Sequence, residues 1–201
     1  MSRPGFRRSS RQAAPNAGTG RGLGGPQGQP QVGGAPFSQA QILHLMKSEF
    51  GRARRHEYPL SCVILAVDRI RTLEEVHGPR VASELRQALG RVVAEQTREH
   101  DHLGLLNEDR LMVLLPHTDG ESSGIVAERI RQAFEEIEIE NGPSRVGATV
   151  SIGIASCEDR DTLFFDTLVS QAEVALDWAV RDGGSRVQLF KRDRFVDLND
   201  R

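Results

Sequence analysis

The sequence predicts an α+β fold, a central and mainly antiparallel sheet flanked by helices, behind a disordered N-terminal tail. Three observations carry that expectation. Apolar runs of strand length alternate with stretches of helical periodicity between residues 38 and 190. The two runs at 103–106 and 111–115 are separated only by Asn107-Glu108-Asp109-Arg110, a hairpin spacing that imposes antiparallel pairing. Residues 1–36, by contrast, hold nine of the 20 glycines and five of the nine prolines. So few large apolar side chains do not offset the entropy of ordering a chain.

The tail carries Arg3, Arg7, Arg8, Arg11 and Arg21 and no acid, within a chain of net charge −2, so the remainder is acidic. A basic tail suits nucleic acid, an anionic membrane or an acidic protein. A solvated leader is the preferred reading, with no nucleic acid or membrane partner expected. Its Arg and Ser content fits a transit peptide, but its Gly and Pro oppose an amphipathic helix. No apolar run approaches the roughly 20 residues of a membrane span, and no secretory apolar region is present. Cys62 and Cys157 are the only cysteines, too few and too isolated for a disulfide framework or a zinc site. A cytoplasmic location is expected.

In chain order, Ser38 is a candidate N-cap. Ile42, Leu45, Met46, Glu49, Phe50 and Ala53 follow at helical spacing, and Arg52, Arg54 and Arg55 lie at the helix end that favours cations. Pro59 closes this helix. Residues 60–67, Leu-Ser-Cys-Val-Ile-Leu-Ala-Val, form a short apolar run that reads as a central strand, with Cys62 a buried small hydrophobe. A long helix begins near Pro79 and turns Val81, Leu85, Leu89, Val92 and Val93 to one side. After the hairpin, Pro116 ends the second strand. Residues 119–136 form a helix with Ile125, Ala127, Ile130 and Phe134 on one face. Residues 146–155 form a strand. Residues 163–182 form a helix with Leu168, Ala172, Ala175, Leu176 and Ala179 inward, capped by Gly183-Gly184, and 187–190 form a last strand. The expected boundaries are 1–36 for the tail, 37–192 for the domain and 193–201 for a C-terminal tail.

These stretches resemble one family. Arg52-Ala-Arg-Arg55 before Pro59-Leu-Ser resembles the first helix of GGDEF domains, the diguanylate cyclases of bacteria. Ala66-Val67-Asp68, then Ile70-Arg71 and Gly78, resembles their first strand and its sequel. The hairpin at 101–116 matches in length. Ala127-Glu-Arg-Ile-Arg131 and Thr149-Val-Ser-Ile-Gly-Ile-Ala-Ser156 are similar to the family consensus. The resemblance spans about residues 38–190. It implies a nucleotidyl cyclase palm-like fold, a signature pentapeptide at the hairpin turn and a bacterial source.

The resemblance also implies that the catalytic positions are degenerate. An active cyclase holds two GTP molecules and needs carboxylates around a divalent metal. The first such position is Ala66 here, and a methyl group binds no metal. Asp68 resembles a second family acid. The signature reads Asn107-Glu108-Asp109-Arg110-Leu111, which keeps an acid at the third position and places a cation at the fourth. A cation about 4 Å from a unit charge costs on the order of 4 kcal/mol at an effective dielectric near 20. Glu108 replaces a glycine that approaches GTP in unusual backbone conformations. The family's guanine-reading Asn and Asp are Glu74 and Ser83, and its phosphate-holding Lys and Arg are Val180 and Gly184. The expectation is no catalytic residue, no functional magnesium site, no cofactor and no cyclase activity. Asp109 and Asn107 then simply make a good turn, and Asp68 ends a strand.

A second family site is retained in the sequence. The product-binding motif Arg-x-x-Asp lies five residues before the signature, and Arg98-Glu99-His100-Asp101 stands in that register before Asn107. A third family contact, an arginine on the following helix, falls on Arg129. Arginine offers two parallel hydrogen bonds to guanine O6 and N7, and a carboxylate accepts from guanine N–H groups. By resemblance the ligand is cyclic di-GMP, bound as a pair with interleaved guanines. His100 and His102 read as solvated histidines, not a metal pair. The expectation is therefore a cyclic di-GMP receptor that relays signal to an unknown protein partner, with a ligand-linked homodimer as one form. The alternatives are a nucleotide-independent adaptor using the tail and the apolar stripe of residues 38–56, and a residual GTP-binding domain or cyclase.

Overall fold

The computed structural model describes residues 36–157 and 164–193. The tail before Pro36, the stretch from Arg194 onward and the expected helix start at Leu163 lie outside the described residues. The elements run α1 (Gln39–His56), β1 (Leu60–Val67), α2 (Ile70–His77), α3 (Pro79–Gln96), β2 (His102–Leu105), β3 (Arg110–Pro116), α4 (Gly120–Glu135), β4 (Glu138–Asn141), β5 (Ser144–Gly147), β6 (Val150–Cys157), α5 (Phe165–Arg181) and β7 (Val187–Leu189). Five strands form one sheet in the order β2-β3-β1-β6-β7. β7 joins β6 in parallel; the other pairs are antiparallel.

β1 lies between β3 and β6, with Val63 facing Val113 on one side and Ile154 on the other. Both faces are covered, which is why residues 60–67 are apolar on both sides of the strand apart from Ser61. Val63, Leu65 and Val67 pack against α3 and α4. Cys62 and Ile64, alternating with them, pack against α1 and α5. The domain is therefore three layers, with helices on both faces of the sheet.

α1 begins as its sequence suggests, with the Ser38 backbone N–H donating to Gln41 Oε1 at 3.0 Å. It ends in a left-handed Glu57 at φ 55. Ile42, Met46, Phe50 and Ala53 are all buried in the domain's own core. The apolar stripe of residues 38–56 is therefore no docking surface, which corrects the adaptor expectation on that point. α5 approaches β6 so closely that a Cβ on Gly153 would lie 2.2 Å from the Leu176 nitrogen, so only glycine fits there.

The structure departs from the sequence reading at several places. α2 fills the gap before Pro79, where the sequence reading assigns no helix. The strand expected at 146–155 is split: Val146 belongs to β5, paired with β4, and β6 starts at Val150. Ile125, expected to face inward on α4, is 62% exposed, while Ser123, Ala127, Ile130 and Phe134 form the buried face.

Candidate functional site

Two regions merit attention, the β2–β3 turn and the surface between the end of α3 and the start of α4.

At the turn, the Asp109 N–H donates to Asn107 Oδ1 at 3.0 Å. Asn107 thus closes the turn through its own side chain. Neither Asn107 nor Glu108 has a positive φ. The turn has accommodated its non-glycine residues by adopting ordinary backbone angles. The Asp109 carboxylate is taken by arginine: Arg86 donates to its Oδ1 from Nε at 3.2 Å and from Nη2 at 2.8 Å, and Arg71 stands 3.6 Å away. Arg86 also donates to Glu74 Oε2 at 3.1 Å. Burial is the largest single effect on the Arg86 guanidinium and opposes its charge, yet its hydrogen bonds with Asp109 and Glu74 together hold its pKa above the ordinary value. Ser83 accepts from Gln87 on its own helix at 3.2 Å.

Arg110 turns to the opposite face of the sheet and pairs with Glu173 at 3.1 Å and Asp177 at 3.4 Å, both on α5. Asp68 accepts three hydrogen bonds, from Thr149 Oγ1 at 2.7 Å, Ser151 Oγ at 2.6 Å and the Ser185 N–H at 2.9 Å. The Asp68 carboxylate sits 3.1–3.2 Å from where a Cβ on Gly184 would lie, and Gly184 has φ +78. A side chain at 184 would be strained by the backbone and would crowd the Asp68 carboxylate. Of the three side chains around this turn, Ala66 carries no ligand atom, Asp68 is hydrogen-bonded to three groups, and Asp109 is paired with Arg86 and Arg71. Among the described residues no group of three His, Cys, Asp or Glu side chains is placed to hold a metal.

The turn borders two open clefts. One, of about 730 Å³, is lined by the 66–72 segment, the turn and Val180. The other, of about 700 Å³, is an apolar groove between α3 and the hairpin, floored by Leu89, Leu103, Leu105 and Leu111. Sequence reasoning missed both this groove and Arg86. No local signal marks either, because each depends on residues from different elements, such as Arg86 with Asp109, 23 positions apart, meeting in space.

At the second region the structure brings Arg98, Asp101 and Arg129 together. They line one cavity of about 100 Å³ with Gln96, His117 and Ser122. Asp101 is placed by a turn: its Oδ2 accepts the Arg98 backbone N–H at 2.7 Å, and its own N–H donates to the Arg98 carbonyl at 3.0 Å. Burial pushes the Asp101 carboxyl above the usual range, against the pull of the Arg98 N–H and neighbouring positive charge. Arg129 Nη2 donates to the Gln96 carbonyl at 3.2 Å, and both arginine side chains are exposed. Arg98, Asp101 and Arg129 thus line one small concavity, with the Asp101 carboxyl partly buried. His100 is exposed, but His102 is half-buried, edge-on to Phe37 at 6.3 Å, and burial lowers its pKa. The expectation of two solvated histidines is corrected for His102.

Comparison with known proteins agrees with this architecture. The family model described as "Diguanylate cyclase, GGDEF domain" matches residues 37–186. Diguanylate cyclase DosC of Escherichia coli is 26% identical over 149 residues, covering 73% of this chain and 32% of that protein. The chain spans about a third of the length of the curated relatives it matches. Among solved structures, the active GGEEF domain of a diguanylate cyclase from Vibrio cholerae superposes with a TM-score of 0.74 at 21% identity, over 79% of this chain and 99% of that one. The GGDEF domain of DgcB from Caulobacter crescentus, solved in complex with c-di-GMP, superposes with a TM-score of 0.71 at 14% identity, over 76% of this chain and 90% of that one. At these identities the two structures speak to the fold alone. No helix among the described residues is long and apolar enough to cross a membrane.

Proposed function

The chain belongs to the GGDEF domain family, and from that premise we propose that it is a receptor for cyclic di-GMP that has given up diguanylate cyclase activity. The observation that carries the reading is the convergence of Arg98, Asp101 and Arg129 on one cavity, in the register the family uses to bind its product. About 100 Å³ is well below the roughly 300–1,000 Å³ of a pocket that engulfs a ligand. The nucleotide therefore lies across the mouth and sends a guanine edge inward. Arg98 and Arg129 donate to guanine O6 and N7 or to phosphate, and Asp101 accepts from guanine N–H groups. Loss of synthesis is supported by the turn: the metal-binding positions are Ala66, an Asp68 that already accepts three hydrogen bonds, and an Asp109 paired with Arg86. The relay runs to a protein partner, and a pair of ligand molecules linking two copies is one route to it.

The reading is tested by calorimetry. Wild-type protein binds cyclic di-GMP at tens of micromolar ligand or below, and Arg98→Ala weakens binding by about five- to 150-fold, the equivalent of roughly 1–3 kcal/mol. Ser83→Ala leaves it unchanged. No binding by the wild type, or equal binding by Arg98→Ala, overturns the receptor. Cyclic di-GMP formed from GTP with magnesium or manganese overturns the loss of catalysis.

A further inference from the structure

His117 follows Pro116 at the end of β3 and has φ 56, one of four non-glycine residues with positive φ among those described. That conformation is uncommon outside glycine, so it persists only where its surroundings impose it. Here both flanks are fastened. Ser61 Oγ on β1 donates to the Thr118 carbonyl at 2.8 Å, and Thr118 Oγ1 donates back to the Pro116 carbonyl at 3.1 Å. Asp119 then caps α4 by accepting the Ser122 N–H at 2.7 Å. The imidazole stacks on Tyr58, ring centroids 3.9 Å apart and planes 28° from parallel. Tyr58 is itself anchored, its hydroxyl donating to the buried Glu49 on α1 at 3.2 Å. The same His117 lines the cavity of Arg98, Asp101 and Arg129. A ring held on one side by an aromatic partner, in a strained backbone, at the wall of a cavity with two cations and one carboxyl, is placed for recognition and has no evident role in packing the core.

We propose that His117 is a fourth ligand contact of this cavity, donating a ring N–H to an anionic purine nucleotide while the Tyr58 stack fixes its orientation. The inference rests on the reading of the cavity as a cyclic di-GMP site and adds a residue outside the Arg-x-x-Asp pattern. Two guanidinium groups against one carboxylate favour an anion, and an imidazole N–H supplies a further donor to phosphate or to a guanine acceptor. The stack also connects the cavity to α1, so an occupied site changes the environment of Tyr58.

The test uses the full chain and cyclic di-GMP. His117→Asn keeps a residue that tolerates the left-handed backbone, and His117→Phe keeps an aromatic ring against Tyr58 but has no N–H. Both variants are expected to weaken binding on the order of tenfold, the effect of losing one charge-assisted hydrogen bond, with melting temperatures near that of the wild type. Tyr58 is the only tyrosine, so protein labelled with 3-fluorotyrosine gives a single 19F resonance, which shifts on ligand addition to wild type and not in Arg98→Ala. Wild-type binding matched by His117→Phe, or saturation with no 19F shift, overturns the His117 contact and leaves the receptor standing. Failure of the wild type to bind at all removes the receptor itself, and the contact with it.

Discussion

Arg86→Met tests whether the signature acid Asp109 now serves the fold. The substitution removes the guanidinium that ties Glu74 on α2 to Asp109 in the hairpin turn and keeps most of the apolar stem. Three hydrogen bonds are lost, at 2.8, 3.1 and 3.2 Å. The side chains of Arg86, Asp109 and Glu74 are 30%, 26% and 40% exposed. Fully exposed ion pairs contribute about 0–1 kcal/mol, and hydrogen bonds to charged groups in drier settings about 1.5–3 kcal/mol. At this intermediate depth the expected loss is about 1–2 kcal/mol, or about 2–8 °C in melting temperature for a domain of this size. A double-mutant cycle with Asp109→Asn isolates the pair, with a coupling of about 0.5–1.5 kcal/mol that shrinks as salt screens it. Magnesium is expected to leave the wild-type melting temperature unchanged. A coupling below about 0.3 kcal/mol, or wild-type stabilisation by magnesium that Asp109→Asn abolishes, would refute the reasoning and return Asp109 to metal binding.

Three further outcomes follow from the geometry. Asp68→Asn turns an acceptor of three hydrogen bonds into a group with two donors of its own, and chemical denaturation is expected to record a loss of about 2–4 kcal/mol. Ile125→Lys on the exposed face of α4 stays within about 0.5 kcal/mol of wild type, whereas Phe134→Ala, fully buried two turns on, costs about 3–5 kcal/mol; similar losses for both would place Ile125 in the core after all. The raised Asp101 carboxyl takes up its proton at higher pH than an ordinary carboxylate near 4. Its ionised form accepts from guanine N–H groups, so affinity for cyclic di-GMP falls as pH drops through that raised pKa. The loss is measured by titration as the difference from Asp101→Asn, whose binding is already weak; parallel pH profiles of the two proteins would exclude Asp101 from the contact.

Much of the architecture was legible because burial writes itself into periodicity. The continuous run at 60–67 marks a strand covered on both faces, and the spacing of Ile42, Met46, Phe50 and Ala53 marks one face of a helix. The β2–β3 hairpin was legible from four polar residues between two apolar runs. The missed elements are short. α2 has eight residues and one buried side chain, Ile70. β4 and β5 have four residues each and bury only Ile139 and Val146. Such segments are stabilised by what they pack against and carry little pattern of their own. Ile125 fits a helical repeat arithmetically, but the groove between α4 and the sheet takes its neighbours Ser123 and Ala127.

The candidate site divides in the same way. The sequence alone determined which chemical groups exist: a methyl at Ala66, a cation at Arg110 beside Asp109, and the side chains of Arg98, Asp101 and Arg129. Tertiary structure decided what those groups do. It set Arg86 against Asp109 across 23 positions, sent Arg110 to α5, gave Asp68 three donors from two separate segments, and stacked His117 on Tyr58 beside the cavity. Periodicity and spacing report on neighbours within one element. Hydrogen bonds and ion pairs fall off within a few ångströms, so their partners are chosen only when distant elements have packed.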